Sequence, residues 1–519
     1  MAGVLSKDEF HRKAGLPQLV LPSSGTPFVE CAEKAFALLA QTRRFFTRGR
    51  LVVELVQDKA GNETLVALKP VAFRSRLEEY FSLSAWRKHK EKLALLPALC
   101  SKDTAEGILE TTAAFSLLPG IRLLANCPII TERSGKLEIL GRGYHDVHGG
   151  IFVLRKGTVP EIPLREAVQS LLELALDFDF VTAGDKSRAL AAFVAPALRF
   201  GRMLDCDFPL EVGEADESQS GKTYRHKLVC AVYNEAPYVI NRRENGVGSL
   251  DESISAALIS ARPFILLENF RGMVNSQILE SALRGIGRVS CRIPYRGEVE
   301  VGTDHVCWQL TSNQAEMTRD LANRSTITRI RKRKASYQFK SYPNGDVLAH
   351  VKHNQLRYLS CVFSVIRHWY NSGRPRIEDN RHDFRESIGS LNWIVQHVFN
   401  LSPLLDGHLE EVYRISNPHL TWLRAVAVAC QKAHRLDQWL KPGEILGICD
   451  AQHIDIPGAN RGAEGDIRNL AMGRHLNASF GGENCIQISG FSIDSEEREE
   501  YDANQRHIRK RRVYRFTRI

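Results

Sequence analysis

The sequence lacks the features that mark secreted, zinc-binding and membrane-spanning proteins. Its eleven cysteines are scattered and none forms a C-x-x-C pair, which argues against a disulfide framework or a zinc site and predicts reduced thiols. No apolar run reaches the length of a membrane span, and the N-terminal MAGVLSKDEFHRKAG has no signal-peptide core. We therefore expect a soluble, cytoplasmic protein with no membrane partner.

Acidic residues are fewer than basic ones, and no carboxylate cluster typical of a deaminase, nuclease or polymerase occurs in the sequence. The chain has 70 lysines and arginines against 60 acidic residues, a formal net charge of +10. An excess of positive charge favours an anionic partner, and nucleic acid is the first candidate. At 519 residues the chain is too long for one ordinary domain.

Hydrophobic periodicity predicts a multidomain α/β chain. Residues 27–56 predict a helix and then a strand, and residues 65–100 predict a second strand followed by a basic helix, LSAWRKHKEKLALL. Alternation with glycine-rich turns predicts strands within 117–154. The acidic, aromatic DFDF at 177–180 precedes a predicted helix, and helical periodicity dominates 343–437. A mixed C-terminal unit with a basic end follows.

The stretch ADESQSGKTY, residues 215–224, nearly matches the phosphate-binding pattern G-x-x-x-x-G-K-[ST]. Gly221, Lys222 and Thr223 are in place, but Asp216 stands where the first glycine belongs. In such a loop the lysine reaches the β- and γ-phosphates and the hydroxyl of Thr223 ligates Mg²⁺. TYRHKLVCAVYNEA predicts the helix that must follow; a chance GKT is the alternative. The candidate nucleotide-binding residues are Ser218, Gln219, Ser220, Gly221, Lys222 and Thr223.

Two apolar stretches farther along the chain end in polar residues, as strands beside a phosphate site do. RPFILLENF, residues 262–270, ends in Glu268 and Asn269. Glu268 would ligate Mg²⁺ and activate water, but the amide in place of a second acid leaves open which group orients that water. HVCWQLTSN closes on Asn313, which would position water or sense the γ-phosphate. The alternative for Glu268 is a surface glutamate at the end of a buried strand.

A basic segment follows the second stretch. RDLANRSTITRIRKRK, residues 319–334, contains Arg324. In a ring assembly an arginine at this place reaches the γ-phosphate of a neighbouring subunit and stabilises charge in the transition state. The alternative is a solvated cation at the end of a helix.

The order GKT, ILLEN, TSN and NRS resembles the ATPase core of the AAA+ class. It is most similar to the superfamily-3-like helicase and primase-associated ATPases of phages and mobile elements. The resemblance covers roughly residues 115–340 well and residues 440–519 loosely, where MGRHLNASFGGENCIQISGFSI and RVYRFTRI are similar to a terminal winged-helix unit. It implies ATP and Mg²⁺ as cofactors, catalytic roles for Glu268, Asn313 and Arg324, and a homo-oligomeric ring such as a hexamer.

In the resembling helicases a hairpin between the second and third motifs lines the ring channel and grips the DNA backbone. Residues 284–301 here alternate in the manner of a hairpin. Arg288, Arg292 and Arg296 would contact phosphates, and Tyr295 would stack on a base. An ordinary edge hairpin with solvated arginines is the alternative.

The C-terminal residues 506–519 contain seven lysines and arginines and no acid. Their alternation predicts a strand with one basic face and one apolar face, as in the wing of a winged helix. A frayed basic terminus is the alternative. The candidate phosphate contacts are Arg509, Lys510, Arg511 and Arg512.

Together these patterns predict four regions. They are an α+β accessory region over 1–182, a P-loop AAA+-like ATPase core over 183–342, a helical region over 343–437 and a winged-helix-like basic domain over 438–519. The predicted function is ATP-dependent translocation on, or unwinding of, single-stranded or forked DNA in the replication of a mobile element. One alternative is a nucleotide-switched DNA-binding or regulatory module. Another is a defence or transposition ATPase that remodels protein partners.

Overall fold

The computed structural model forms two compact units, Met1–Ala315 with Asn323–His408, and Glu316–Ala322 with Leu409–Ile519. It is a mixed α/β structure with several separate sheets. The residues that the structure describes are 15–23, 25–57, 61, 63–89, 92–215, 217, 219–241, 249–270, 273–284, 288–293, 297–313, 315–416, 418–456, 465–480, 483–488, 490–502 and 507–519.

The N-terminal part of the first unit is a small α+β lobe with its own apolar core, which includes Phe36, Phe73 and Leu77. The predicted helix and strands in 27–67 are confirmed. The lobe contains β1 (Gln18–Val20), α1 (Phe28–Gln41), β2 (Phe45–Arg48), β3 (Leu51–Gln57), β4 (Glu63–Ala67), α2 (Pro70–Tyr80), β5 (Ser82–His89), β6 (Lys92–Pro97), α3 (Lys102–Leu109) and α4 (Ala113–Leu117).

The predicted basic helix LSAWRKHKEKLALL is wrong. Its residues form the antiparallel pair β5–β6, and β5 also pairs in parallel with β1. Leu83, Ser84 and Ala85 are all buried, so this part of β5 is covered on both faces. Because β5 has a partner on each edge, tertiary pairing overrides the helix propensity of the lysines and leucines. Lys88 and Lys92 therefore lie in a hairpin and not on a helix face.

The predicted strands within 117–154 are confirmed, and long helices follow them. The helix that follows DFDF is buried on almost all sides, and its Leu190, Phe193 and Leu198 contribute to the main core of the unit. The elements are β7 (Leu123–Ala125), β8 (Ile129–Arg133), β9 (Lys136–Leu140), β10 (Gly143–His145), β11 (Ile151–Val153), α5 (Leu164–Glu173), β12 (Asp179–Phe180) and α6 (Ala183–Phe200).

A six-stranded sheet lies at the centre of the first unit, in the order β12-β21-β13-β19-β15-β14. The five strands from β21 to β14 are parallel, and β12 is antiparallel. Parallel strands end at one edge, where ligands bind in sheets of this kind. In chain order the elements from β13 to β21 are β13 (Leu210–Glu214), α7 (Lys222–Val232), β14 (Tyr238–Asn241), α8 (Leu250–Ile259), β15 (Phe264–Phe270), β16 (Met273–Val274), α9 (Gln277–Ala282), β17 (Arg288–Ile293), β18 (Gly297–Gly302), β19 (Cys307–Ser312), β20 (Glu316–Met317), α10 (Arg319–Asn323) and β21 (Ser325–Arg331). Of these, β20 and most of α10 belong to the second unit.

Helices predominate in residues 343–437, as the periodicity predicts, and helices occur in both units. The second unit ends in a four-stranded sheet, β22-β25-β24-β23, whose core includes Ile493, Tyr514 and Phe516. The elements are α11 (Val347–His353), α12 (Gln355–Asn371), α13 (Arg385–Trp393) with a π-helical turn (Ile394–Val398), α14 (His408–Ser416), α15 (Pro418–Lys432), β22 (Trp439–Leu440), α16 (Pro442–Ala451), α17 (Gly465–Phe480), β23 (Cys485–Ile488), β24 (Phe491–Asp502) and β25 (His507–Arg518).

Candidate functional site

The GKT stretch joins the carboxyl end of β13 to the first turn of α7. Gln219 and Gly221 have φ values of 61° and 94°, so the backbone passes twice through the left-handed region that glycine favours. Gly221 caps a helix that starts at Lys222. Unpaired backbone N–H groups at a helix start attract anions. Ser220 is buried in this loop, whereas Asp216 and Ser218 lie outside the described residues.

Lys222 is the cation of this loop, and its Nζ donates a hydrogen bond to Oδ1 of Asn313. Asn313 directly follows β19, which pairs with β13. Burial lowers the pKa of Lys222, opposed by the charge of Glu214. Two residues predicted from separate motifs are thus brought together at the carboxyl edge of the sheet.

The end of β15 places its two polar residues differently. The pairing of β15 with β19 shifts between Leu267 and Phe270, a bulge of the kind that redirects side chains. Within it Asn269 has a φ of 52°, and its N–H donates to Oγ1 of Thr311 at 2.9 Å. Asn269 lines the cleft beside the GKT loop. Glu268 is half-buried opposite Asn241 and is not among the cleft-lining residues described.

A large cleft of about 920 Å³ opens in front of the loop. A volume of this size accommodates a nucleotide. The lining includes Lys222, Thr223 and Asn313, and also Phe178 and residues of the segment 332–340. A Cβ atom at position 221 would lie 3.3 Å from the Phe178 ring, so only a small residue fits there.

Sequence reasoning missed two features of this cleft. The segment 332–340 supplies the cations Lys332, Arg333, Lys334 and Lys340 to the lining, and Lys332 lies 3.7 Å from the carboxylate of Glu217 in the GKT loop. Glu214, at the end of β13, is a buried carboxylate that accepts a hydrogen bond from Ala315 N at 3.0 Å. Its position directly before the loop was the signal that could have identified it.

Arg324 lies at the other edge of the sheet. It immediately precedes β21, and its carbonyl accepts a hydrogen bond from Leu210 N at 2.9 Å. β13 runs from Leu210 to Glu214, and at about 3.3 Å per residue the two edges are roughly 13 Å apart along the strand. Arg324 is buried and does not line the cleft of its own protomer among the described residues.

The central hairpin, β17 and β18, is present as predicted. Arg288 is exposed and its Nη1 lies 3.9 Å from the carboxylate of Glu300. Arg292 is paired with Glu298 in the register. Tyr295 and Arg296 lie outside the described residues. Arg288 therefore lies near an acidic residue of the neighbouring strand, and Arg292 lies opposite one in the register.

The terminal hairpin, β24 and β25, shows the same pairing on a larger scale. The predicted strand is confirmed, with Val513, Tyr514 and Phe516 buried. Its basic residues lie opposite acids: Arg509 pairs with Glu500, Lys510 with Glu499 and Arg512 with Glu497, while Arg511 faces Arg498. Arg512 Nη2 is 3.5 Å from Glu497. β24 contains six acids and one arginine against six lysines and arginines in β25, so the pair is nearly neutral.

The described part of the chain offers neither a cluster of metal ligands nor a membrane-spanning helix. Within it, His, Cys, Asp and Glu residues form no group of three or more that would hold a metal ion. No helix among those residues combines the length and the apolar character needed to cross a bilayer.

Comparison with known proteins gives remote structural similarity only. No family model matches the chain, and no curated protein does. The chain is similar to a structure described as SCCmec type IV Cch, an active helicase (10% identity, 90% of each chain, TM-score 0.31). It is similar to the NrS-1 C-terminal region (10% identity, 92% of this chain and 98% of that one, TM-score 0.33) and to JCV helicase (13% identity, 49% and 71%, TM-score 0.23). TM-scores this low do not establish a shared fold.

Proposed function

We propose that this chain is an ATP hydrolase of the helicase type that translocates on or unwinds DNA as a homo-oligomeric ring. The observation that carries the proposal is the meeting of Lys222, Asn313 and Asn269 around one cleft, at the carboxyl edge of a parallel sheet and at the start of a helix. Enzymes catalyse phosphoryl transfer mainly by positioning the reactants and by stabilising the charge of the phosphates, with little covalent chemistry.

The residues at this edge fit ATP with Mg²⁺. Phosphate oxygens would bind to the turn at Gln219 and Gly221 and to the first N–H groups of α7. Lys222 would give up its hydrogen bond to Asn313 and bind the β- and γ-phosphates instead. Thr223 lines the cleft and offers the hydroxyl ligand for the metal. Glu268 is the proposed acid for metal and water, with Asn269 nearer the cleft as a group that orients water without taking its proton.

Three further roles belong to the same proposal. Arg324 would act on the site of a neighbouring subunit, since it lies at the far edge of its own sheet. The central hairpin would contact DNA through Arg288, Arg292 and Arg296, with Tyr295 stacking on a base. The terminal strand would add contacts through Arg509, Lys510, Arg511 and Arg512.

The test is ATP binding and turnover with and without single-stranded DNA. The wild type should bind ATP–Mg²⁺ by calorimetry, and DNA should stimulate its turnover. Lys222→Ala should weaken ATP binding by at least about a hundredfold, because it removes the phosphate cation. Lys227→Ala is the matched control, since Lys227 is an exposed lysine on the same helix. Absence of ATP binding by the wild type would refute the nucleotide site, and unstimulated turnover would favour a switch over a motor.

A further inference from the structure

Two neighbouring cavities of about 260 and 320 Å³ form one elongated depression on the first unit. They share Asn126, Arg155, Asn234 and Lys352 as lining residues. We call this depression the basic trough and define it by Asn126, Arg155, Lys156, Asn234, Lys352 and Gln355. Neither motif reasoning nor the proposed ATPase mechanism gives it a role.

The floor of the trough is held by a polar network. Asn126 donates from its backbone N and its Nδ2 to the carboxylate of Glu235, at 2.7 and 3.0 Å. Asn234 Nδ2 donates to the Asn126 carbonyl at 2.9 Å. Gln355 Nε2 donates to the Val232 carbonyl at 2.7 Å, at the end of α7. These bonds fix the floor, so the cations around it are presented on a defined surface.

Three cations around this floor have no ion-pair partner among the described residues, although Glu63 lines one of the two cavities and the charge of Arg155 acts on Glu235. Arg155, Lys156 and Lys352 are exposed, and their side chains make no ion pair or hydrogen bond to any residue that the structure describes. Like charges held close together repel one another unless an anion binds between them. Burial raises the pKa of the nearby Glu235 to about 7, against the hydrogen bonds from Asn126 and the charges of Arg262 and Arg155, so this carboxyl is only partly ionised near neutral pH and offsets the three cations incompletely.

We infer that the basic trough binds the phosphodiester backbone of nucleic acid. Its length across two connected cavities fits a chain of repeated anions better than one ion. Its side chains are arginine, lysine and carboxamides, the types that contact phosphate oxygens in protein–DNA complexes. The first turn of the 17-residue helix α12 also borders it and adds a favourable dipole to the charge of the three cations. This surface goes beyond the proposed ATPase, because it requires no nucleotide.

The experiment is nucleic-acid binding by the full chain without nucleotide, followed as anisotropy of a labelled single-stranded oligonucleotide. Arg155→Glu/Lys156→Glu/Lys352→Glu should weaken binding by at least about tenfold at 0.1 M salt, because three phosphate contacts become repulsive. The matched control is Arg133→Glu/Lys136→Glu/Arg142→Glu, three exposed cations on and just after the β8–β9 hairpin, which should change affinity less than about threefold. All six residues are exposed, so both variants should melt like the wild type.

Competition identifies the ligand. An unlabelled oligonucleotide should compete, whereas pyrophosphate and poly-glutamate at equal charge should not; equal competition by either would overturn the backbone assignment. Equal losses of affinity in the trough and control variants would show that only the net charge matters, and would also overturn the assignment. If the wild type binds DNA and the trough variant binds equally well, the trough fails while the proposed function stands. If the wild type binds no DNA, both fail, and ATP binding is tested separately through Lys222→Ala.

Discussion

The two edges of the central sheet use buried cations in different ways. At the carboxyl edge Lys222 meets a side-chain amide, Asn313, inside an open cleft. At the amino edge Arg199 is buried and donates to backbone carbonyls, to Asp304 O at 3.1 Å and to Thr303 O at 3.2 Å. Arg48 does the same with Leu258 O, at 2.7 Å from its Nη2. An arginine that satisfies carbonyls holds segments together, whereas a lysine on one exchangeable amide in a cleft is available to a ligand.

Arg324 gives the strongest test of this comparison. It lies at the amino edge, where Arg199 and Arg48 are structural, but it is proposed to be catalytic. If it acts across a subunit boundary, Arg324→Ala should lower turnover by roughly a thousandfold while ATP binding is retained. Arg331→Ala, at the other end of the same strand, is the control. The measurement is steady-state ATP hydrolysis at saturating DNA.

A mixing experiment separates action in trans from a folding role. Arg324→Ala mixed with Lys222→Ala should regain activity, because some boundaries then combine an intact loop with an intact arginine. A protein that stays monomeric with ATP and DNA present, by light scattering, would contradict the ring. In that case Arg324 belongs with Arg199 among the structural arginines.

Removing the cation should lower the free energy of unfolding more at the amino edge than at the carboxyl edge. Arg199→Ala should lower the free energy of unfolding by about 3 kcal/mol, since buried carbonyls lose their donor. Lys222→Ala should lower it by less than about 1 kcal/mol, because only one hydrogen bond is lost. Thermal melting of both variants in the same buffer is the measurement. Equal losses would mean that Lys222 is structural and would weaken its assignment to the phosphates.

Glu268 and Asn269 test which group at the carboxyl edge handles water. Glu268→Gln should keep ATP binding and lower turnover by at least about a hundredfold, as expected when a positioned acid–base group is lost. Asn269→Ala is its companion, because Asn269 and not Glu268 lines the cleft as described. Unchanged turnover in Glu268→Gln with a large loss in Asn269→Ala would transfer the role and favour a slow nucleotide switch.

The sequence predicted the elements around the site well because each carries its own local signal. The helix from Lys222, the buried strand before Glu268 and the central hairpin have distinct periodicities, and all three are observed. The bulge at Asn269 was not predictable, since it depends on how β15 registers against β19. The basic helix was predicted wrongly because β5 pairs with β1, a contact about 60 residues distant in sequence that no local pattern reports.

The pairing of charged residues is the feature that the sequence predicts least well. The basic run at Arg509–Arg512 is conspicuous in the sequence, yet its strand lies against the acidic β24. Arg155 and Lys156 are about 200 residues from Lys352 in sequence and all three are inconspicuous, yet they meet around one trough without an ion pair to any described residue. Counting lysines and arginines along a chain cannot distinguish paired from unpaired charge, because pairing is decided by strand register and folding.

The smallest expected effect on DNA binding comes from the terminal strand β25, because its cations lie opposite acids. Arg509→Gln/Lys510→Gln/Arg511→Gln/Arg512→Gln should weaken DNA binding by only about threefold, equally with and without ATP, because three of these four residues lie opposite glutamates in the strand register. Glu497→Gln/Glu499→Gln/Glu500→Gln should have the opposite effect and strengthen binding, since it exposes the same cations to phosphate. Oligonucleotide titrations of both variants beside the trough variant provide the measurement. A tenfold loss from the glutamine variant of β25 would show that cross-strand acids do not mask its charge, and the terminal strand would then rank with the trough as a DNA contact.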